Sequence, residues 1–233
     1  MQRESAMTNF VLVHGGAHAS WCWERLAPYL RSDPRVAEVV AVDLTGHGAR
    51  RDVKPLEDIT LADYVDDVVR EIESRDLREV ILVGHSLAGI TVPQAAVRVA
   101  DRIRRLIYLS TSNPPEGQSI FDLMKHPLSP VARGLDVHTM FCNDLDDDAT
   151  AWLLSNLGPE PPGPMGEPIP RVDLPAGVKS TYVLLQRDEA LPPAWQREQA
   201  LNARADEVVP FDAGHSAFVS RPVELADLLL GYA

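Results

Sequence analysis

The stretch VILVGHSLAGI, Val80 to Ile90, decides how this chain is read. Its first four residues are apolar without a polar break, the pattern of a strand buried on both faces. Gly84, His85 and Ser86 then mark a sharp turn, and helical spacing starts at Leu87. A serine in a tight strand-to-helix turn takes a strained backbone that lifts its hydroxyl clear of the sheet. Its neighbours must be small, because strand and helix pass close together. Gly84 meets that demand; Ala88 stands where the Gly-x-Ser-x-Gly spacing wants a second glycine and adds one methyl, and Gly89 leaves room for the helix. The pentapeptide alone is a weak signal, since it recurs by chance and a serine after a strand also serves as a helix N-cap.

Outward from this stretch, short apolar runs alternate with helical patterns. Phe10–Val13, Val39–Val42, Val80–Val83, Leu106–Leu109, Tyr182–Leu185 and Val208–Phe211 read as strands of a parallel sheet, too continuously apolar to have a wet face. Leu61, Tyr64, Val65, Val68, Val69 and Ile72 recur at helical spacing, with Thr60 as N-cap and Asp63 completing a capping box. Further helices are expected over Trp21–Arg31, Leu87–Ala100 (bent slightly by Pro93), Pro193–Ala203 and Pro222–Tyr232. The alternation predicts an α/β fold, a mostly parallel doubly wound sheet with helices on both faces, and ligands beyond the carboxyl ends of its strands.

One region breaks the rhythm. From about 112 to 178 the chain carries short helical patterns, the acidic run NDLDDD and then GPEPPGPMGEPIP, whose six prolines argue against regular helix or a central strand. We read 1–233 as a single domain with a lid insertion at about 112–178. The alternative, a linker between two domains, fits less well because the alternation resumes at Thr181. Asp144, Asp146, Asp147 and Asp148 lack the glycine and glutamate of a calcium loop and are expected to solvate or cap a lid helix running toward Leu157.

A serine hydroxyl needs a base. Of seven histidines, His215 alone lies in a loop after a late strand, in PFDAGHSAF, from which it can reach across the carboxyl edge to Ser86. The orienting acid is expected after another strand, and YVLLQRDEALPP offers Asp188; Glu189 competes, but Asp188 is nearer the strand and shorter. The segment after Leu109, STSNPP, offers no acid. In VLVHGGAHASW a His-Gly-Gly loop follows the first strand and either aims the Gly16 N–H at a developing oxyanion, with Leu87 N–H as second donor, or is a plain glycine turn. His14 and His85 read as structural, His47 as a loop or helix-cap residue, His126 and His138 as surface or pocket-wall residues of the lid. His18 borders the pocket, and Phe121, Met124, Met140, Phe141 and Trp152 either line it with apolar surface or pack the lid itself.

Bulk properties narrow the partners. A net charge of −12 repels nucleic acid and anionic membranes, which leaves a neutral or weakly charged small molecule as ligand. Cys22 and Cys142 lie outside any Cys-x-x-Cys spacing and read as buried free thiols, so neither a disulfide framework nor a zinc site is expected, and no cofactor. Without a membrane-length apolar run or a signal-peptide core, a cytoplasmic location is the default, as monomer or homodimer. Met7 is a candidate start, with residues 1–6 an ill-ordered extension.

These motifs, in this order, resemble the α/β-hydrolase superfamily over almost the whole chain, and more narrowly the plant methyl esterases and hydroxynitrile lyases with their bacterial esterase relatives. The likeness rests on FVLVHGGAHASWCWERLAPYL, VILVGHSLAGI, FCNDLDDDATAWLLSNLGPEPPGPMGEPIP, YVLLQRDEALPPAWQ and GHSAFVSRP. It implies a Ser86–His215–Asp188 triad with backbone donors at Gly16 and Leu87, acting as a serine carboxylic-ester hydrolase on a small to medium, mostly apolar or aromatic ester. Lyases of the group carry a lysine directly after the catalytic histidine where this chain has Ser216, and the lid is shorter than in the plant enzymes. The alternatives on the same residues are a lactone or carbon–carbon bond hydrolase, a hydroxynitrile lyase, or a non-catalytic small-molecule receptor.

Overall fold

The computed structural model describes residues 7–233; the expected extension over 1–6 lies outside them. Six strands, β1 (Thr8–Val13), β2 (Val36–Val42), β3 (Val80–His85), β4 (Ile103–Leu109), β5 (Lys179–Leu185) and β6 (Glu207–Phe211), form one sheet in the order β2-β1-β3-β4-β5-β6. Every neighbouring pair is parallel. Among the described residues, ten α-helices accompany them, the last two after β6: α1 (Ala27–Arg31), α2 (Leu61–Ser74), α3 (Val92–Arg98), α4 (Ile120–Leu123), α5 (Val137–Cys142), α6 (Asp147–Asn156), α7 (Pro162–Gly166), α8 (Pro193–Asn202), α9 (Ala217–Ser220) and α10 (Pro222–Leu230).

Alternation along each central strand splits the core in two. Val11, Val13, Leu82, Leu106 and Tyr108 face Val65, Val68 and Ile72 of α2 and Val92, Ala95 and Ala96 of α3. Phe10, Leu12, Ile81, Val83 and Ile107 face Leu30 of α1 and Leu225 and Leu229 of α10. The central strands β1 and β3 are buried along their whole length. The edge strands are not: β2 exposes Ala37 and Glu38, and in β6 Val208 is 46% exposed, so the expectation of no wet face fails there. An edge strand has a sheet neighbour on one side only, and its flanking helix covers it incompletely. Pro210 lies in β6, where a missing N–H is tolerated.

Helix boundaries depart from the periodicity in three places. The expected Trp21–Arg31 helix is a 3-10 turn, Ser20–Trp23, followed by α1, which restarts with Pro28 in its first turn. The helix after Ser86 opens as a 3-10 turn, Ser86–Ile90, and becomes α-helical only at Val92. Pro93 therefore sits in the first turn of α3, where no hydrogen bond is lost and no bend is needed. Within the proline run, α7 forms one helical turn with prolines at its start, against the expectation of no helix. The Thr60–Asp63 capping box is present at α2.

The segment between β4 and β5 carries α4–α7 and packs against the head of α2. Glu167 Oε1 accepts the Leu61 N–H at the head of α2, 2.9 Å away. Gly163 passes so close to the chain that a Cβ there would lie 2.1 Å from the Ile59 carbonyl oxygen.

Candidate active site

The strand order reverses direction between β1 and β3, and the loops after these adjacent strands carry Gly16 and Ser86 side by side. In an open α/β sheet this is where a ligand crevice forms. Ser86 has φ 51°, a left-handed conformation disfavoured for any residue with a Cβ. It is held by the Ser112 N–H donating to its carbonyl at 2.9 Å, and by close packing on both sides. A Cβ on Gly84 would lie 2.7 Å from Val92, and one on Gly89 only 2.3 Å from the Ser112 carbonyl oxygen. Ala88 is buried beside His14, Leu44, Tyr64 and Thr91, so the second steric demand falls on Gly89 and the alanine methyl is accommodated.

His215 and Asp188 are buried, and Ser86 is half-buried. Asp188 Oδ2 lies 2.7 Å from His215 Nδ1, which donates to it; that leaves Nε2 unprotonated and 3.0 Å from Ser86 Oγ, able to accept the hydroxyl proton. Asp188 Oδ2 also accepts the Ser110 hydroxyl at 2.6 Å, and Oδ1 the Leu191 N–H at 2.8 Å. Glu189 points elsewhere: it is half-exposed and paired with Arg133 at 2.7 Å. His85 Nε2 donates to the His215 carbonyl at 3.0 Å, with the two rings 4.5 Å apart.

On the opposite side, Leu87 is the second residue of the 3-10 turn, whose leading N–H groups have no partner within it. Gly16 sits against the Leu87 side chain; a Cβ on Gly16 would be 3.2 Å from Leu87 Cδ2. His14 Nδ1 donates to the Gly15 carbonyl at 2.9 Å while its Nε2 accepts the Leu44 N–H at 3.3 Å, which fixes the neutral tautomer. Burial, aided by the neighbouring His47, lowers the His14 pKa well below the ordinary value. His18 Nδ1 donates to the Gly16 carbonyl at 2.7 Å, and burial lowers its pKa to about 4.

The chain matches the alpha/beta hydrolase family over residues 10–228. It belongs to that family. This alpha/beta hydrolase is 30% identical to a carbendazim hydrolyzing esterase from Nocardioides sp. (strain SG-4G), covering 96% of this chain and 98% of that one. It is 28% identical to methylesterase 9 of Arabidopsis thaliana over 97% of this chain and 98% of that one. Among solved structures, an extracellular alpha/beta-hydrolase from a Paenibacillus species superposes with a TM-score of 0.79 at 24% identity, over 97% and 99% of the two chains.

Of the expected pocket residues, the hydrolase brings His18 and Phe141 to the site. The Phe141 ring stacks 5.5 Å from His215 and meets His18 edge-on at 5.1 Å. Met124 and Met140 pack with Leu87, Ile90 and Trp195 in an apolar cluster beside the nucleophile turn. Trp152 meets Trp21 edge-on at 5.3 Å, one shell further out. Phe121 is 42% exposed, its ring against Gly166. His126 stacks on Trp195 at 5.2 Å and His138 is exposed. His47 precedes a 3-10 turn, but its ring bonds the Tyr64 hydroxyl instead of capping. A surface cavity of about 550 Å³ lies between α2, α3 and residues 167–173 and includes none of these side chains.

Three side chains at the site gave no sequence signal of their role. Ser110, from the segment that offers no acid, donates to Asp188. Asp144 is no helix solvator: it is nearly buried and accepts the Gly214 N–H at 2.6 Å, next to His215, whereas Asp146 is the N-cap of α6 and Asp147 and Asp148 fill its first turn. Glu160, the first acid of the proline run, accepts the Ala17 N–H at 2.7 Å and the Tyr64 hydroxyl at 3.1 Å. Ser216 donates to the Phe141 carbonyl at 2.7 Å, so no cation stands beside His215 at that position.

Proposed function

We propose that this hydrolase cleaves carboxylic esters by way of a Ser86 acyl-enzyme. The chain is an ester hydrolase; Ser86, His215 and Asp188 are its triad, and the N–H groups of Gly16 and Leu87 form its oxyanion hole. The observation that carries the reading is the unbroken chain Asp188–His215–Ser86 ending on a serine held at positive φ. His215 takes the hydroxyl proton as Ser86 Oγ attacks the ester carbonyl. The carbonyl oxygen becomes negative between the two backbone donors, and the same proton passes to the departing alkoxide. Water, activated by His215, then releases the acid and restores the serine. Asp188 holds the imidazole in the tautomer this needs and steadies the imidazolium.

The substrate is a small to medium ester with an apolar or aromatic group, met by Leu87, Met124, Met140 and Phe141. The relatives named for methyl ester and carbendazim hydrolysis support that size and chemistry. We place the enzyme in the cytoplasm, where the free thiols Cys22 and Cys142 stay reduced. A turnover panel of aryl esters, methyl esters, lactones and cyanohydrins tests the reading. Ester hydrolysis is expected to fall by at least about 10³-fold in Ser86→Ala; full turnover by that variant, or hydrolysis of no ester by the wild type, would overturn it.

A further inference from the structure

The oxyanion side holds a carboxylate that the mechanism above does not use. Glu160 comes from the insertion, its side chain only 16% exposed, and ends on the loop that carries Gly16. The residue it bonds, Ala17, has φ 62°, a conformation costing about 1–2 kcal/mol for a residue with a Cβ, so the loop does not take this shape unaided. Both polar backbone groups of Ala17 are taken by one stretch of the insertion: Glu160 Oε2 accepts its N–H at 2.7 Å, and the Gly158 N–H donates to its carbonyl at 2.8 Å. The neighbouring carbonyls of Gly15 and Gly16 are occupied by His14 and His18. Every one of these bonds orients the peptide units on either side of the Gly16 N–H without using that N–H.

The carboxylate is itself fixed. Tyr64 of α2 donates to Oε1 at 3.1 Å, and His47 Nε2 donates to the Tyr64 oxygen at 2.9 Å and lies 3.6 Å from Glu160 Oε2. Pro161, next in the chain, packs against Gly46, where a Cβ would be 2.9 Å from the proline ring. Burial keeps His47 neutral, its pKa lowered to about 4, so no cation balances Glu160 from that side. Burial raises the Glu160 pKa to about 7, with the Ala17 and Tyr64 hydrogen bonds opposing. A carboxylate kept where its ionisation is disfavoured is characteristic of a site selected for activity over stability.

We infer that Glu160 is a positioning residue for the oxyanion hole: by clamping Ala17 in its left-handed conformation it aims the Gly16 N–H at the carbonyl oxygen of the reacting ester. It touches no reacting atom. The assignment rests on the ester-hydrolase reading and deepens it. A carbonyl oxygen at the same place serves the purpose as well as a carboxylate, so glutamine is the conservative replacement. Alanine removes the acceptor, and aspartate draws it back by one methylene.

Steady-state kinetics on an aryl ester, with affinity for a trifluoromethyl ketone that forms a hemiketal oxyanion on Ser86, separates positioning from mere support of the fold. In Glu160→Ala, kcat is expected to fall about 10- to 100-fold with KM within about threefold, and ketone affinity to fall in parallel with kcat/KM. Glu160→Gln is expected to stay within about threefold of wild type in all three quantities. If Glu160→Ala does not fold, Glu160→Asp takes its place with the same expectation. Unchanged kcat in the alanine variant, ketone affinity that does not follow kcat/KM, or a glutamine variant no better than alanine each overturns the assignment. A wild type inert to esters and to the ketone sinks the ester-hydrolase reading alone. The clamp is then read from exchange of the Ala17 amide hydrogen, which must quicken in Glu160→Ala and not in Glu160→Gln.

Discussion

The two sides of the site are held by different stretches of the segment between β4 and β5, and by different means. The Asp188–His215 side has several separate ties: at the surface, Arg133 donates to the Glu189 carbonyl and carboxylate and Asn143 donates to the Arg187 carbonyl, while the nearly buried Asp144 accepts the Gly214 N–H. The Gly16–Leu87 side, proposed above as the oxyanion hole, is held by one mostly buried carboxylate and one backbone bond. Surface stitches are redundant and individually weak, because water competes for each partner. A buried acceptor is singular, and losing it leaves donors with nothing in its place. The acid side therefore tolerates the loss of one outer contact, and the oxyanion side does not.

Substitutions test that contrast, starting with the acid that orients His215 itself. Asp188→Asn forces an amide NH₂ against a donor, since both carboxylate oxygens already accept N–H or O–H groups. The imidazole tautomer is expected to be lost and kcat to fall about 10⁴-fold, with KM little changed.

On the other side, Glu160 makes a pH-dependent contribution of known sign. Its pKa is raised from 4.5 to about 7 on folding, so the folded state binds the proton more tightly than the unfolded one. The group's contribution is favourable below the ordinary carboxyl range and is lost as pH rises to about 7. Relative to wild type, Glu160→Gln is expected to gain on the order of 3 kcal/mol in unfolding free energy between pH 4.5 and pH 8, read from denaturant melts at both values. A difference independent of pH would mean that the carboxylate is solvated, and the contrast between the two sides would collapse.

Smaller effects belong to the ties from the segment between β4 and β5. Asp144→Ala frees the Gly214 N–H beside His215 and is expected to lower kcat about tenfold. Arg133→Ala removes a half-exposed pair and should change kcat less than threefold and stability by less than about 1 kcal/mol, measured by the same assays.

The sheet, its six strands and the α2 capping box are legible in the sequence because each follows from a local period or spacing. Ser86, His215 and Asp188 are legible because the chemistry requires one group of each kind after a strand, and few residues qualify. The 3-10 opening after Ser86 is not, since its spacing over five residues barely differs from an α-helix. Ser110, Asp144 and Glu160 stay hidden for another reason: each acts on a residue 70 or more positions away, Asp188, Gly214 or Ala17. A lone acid in a proline run or an acidic cluster has no local period that reveals such a partner. The mixed outcome for the pocket residues follows from the same limit, as apolar spacing does not say whether Phe121 or Phe141 turns inward.

Pro210 bears on how copies of this chain can meet. The Phe211 carbonyl accepts the Gln186 N–H across the last ladder, so Phe211 faces β5 and the preceding residue faces outward. That outward position is a proline with no hydrogen to give. A second molecule laid along β6 would find its hydrogen-bond row interrupted at mid-strand, which discourages edge-to-edge polymerisation of an otherwise open sheet.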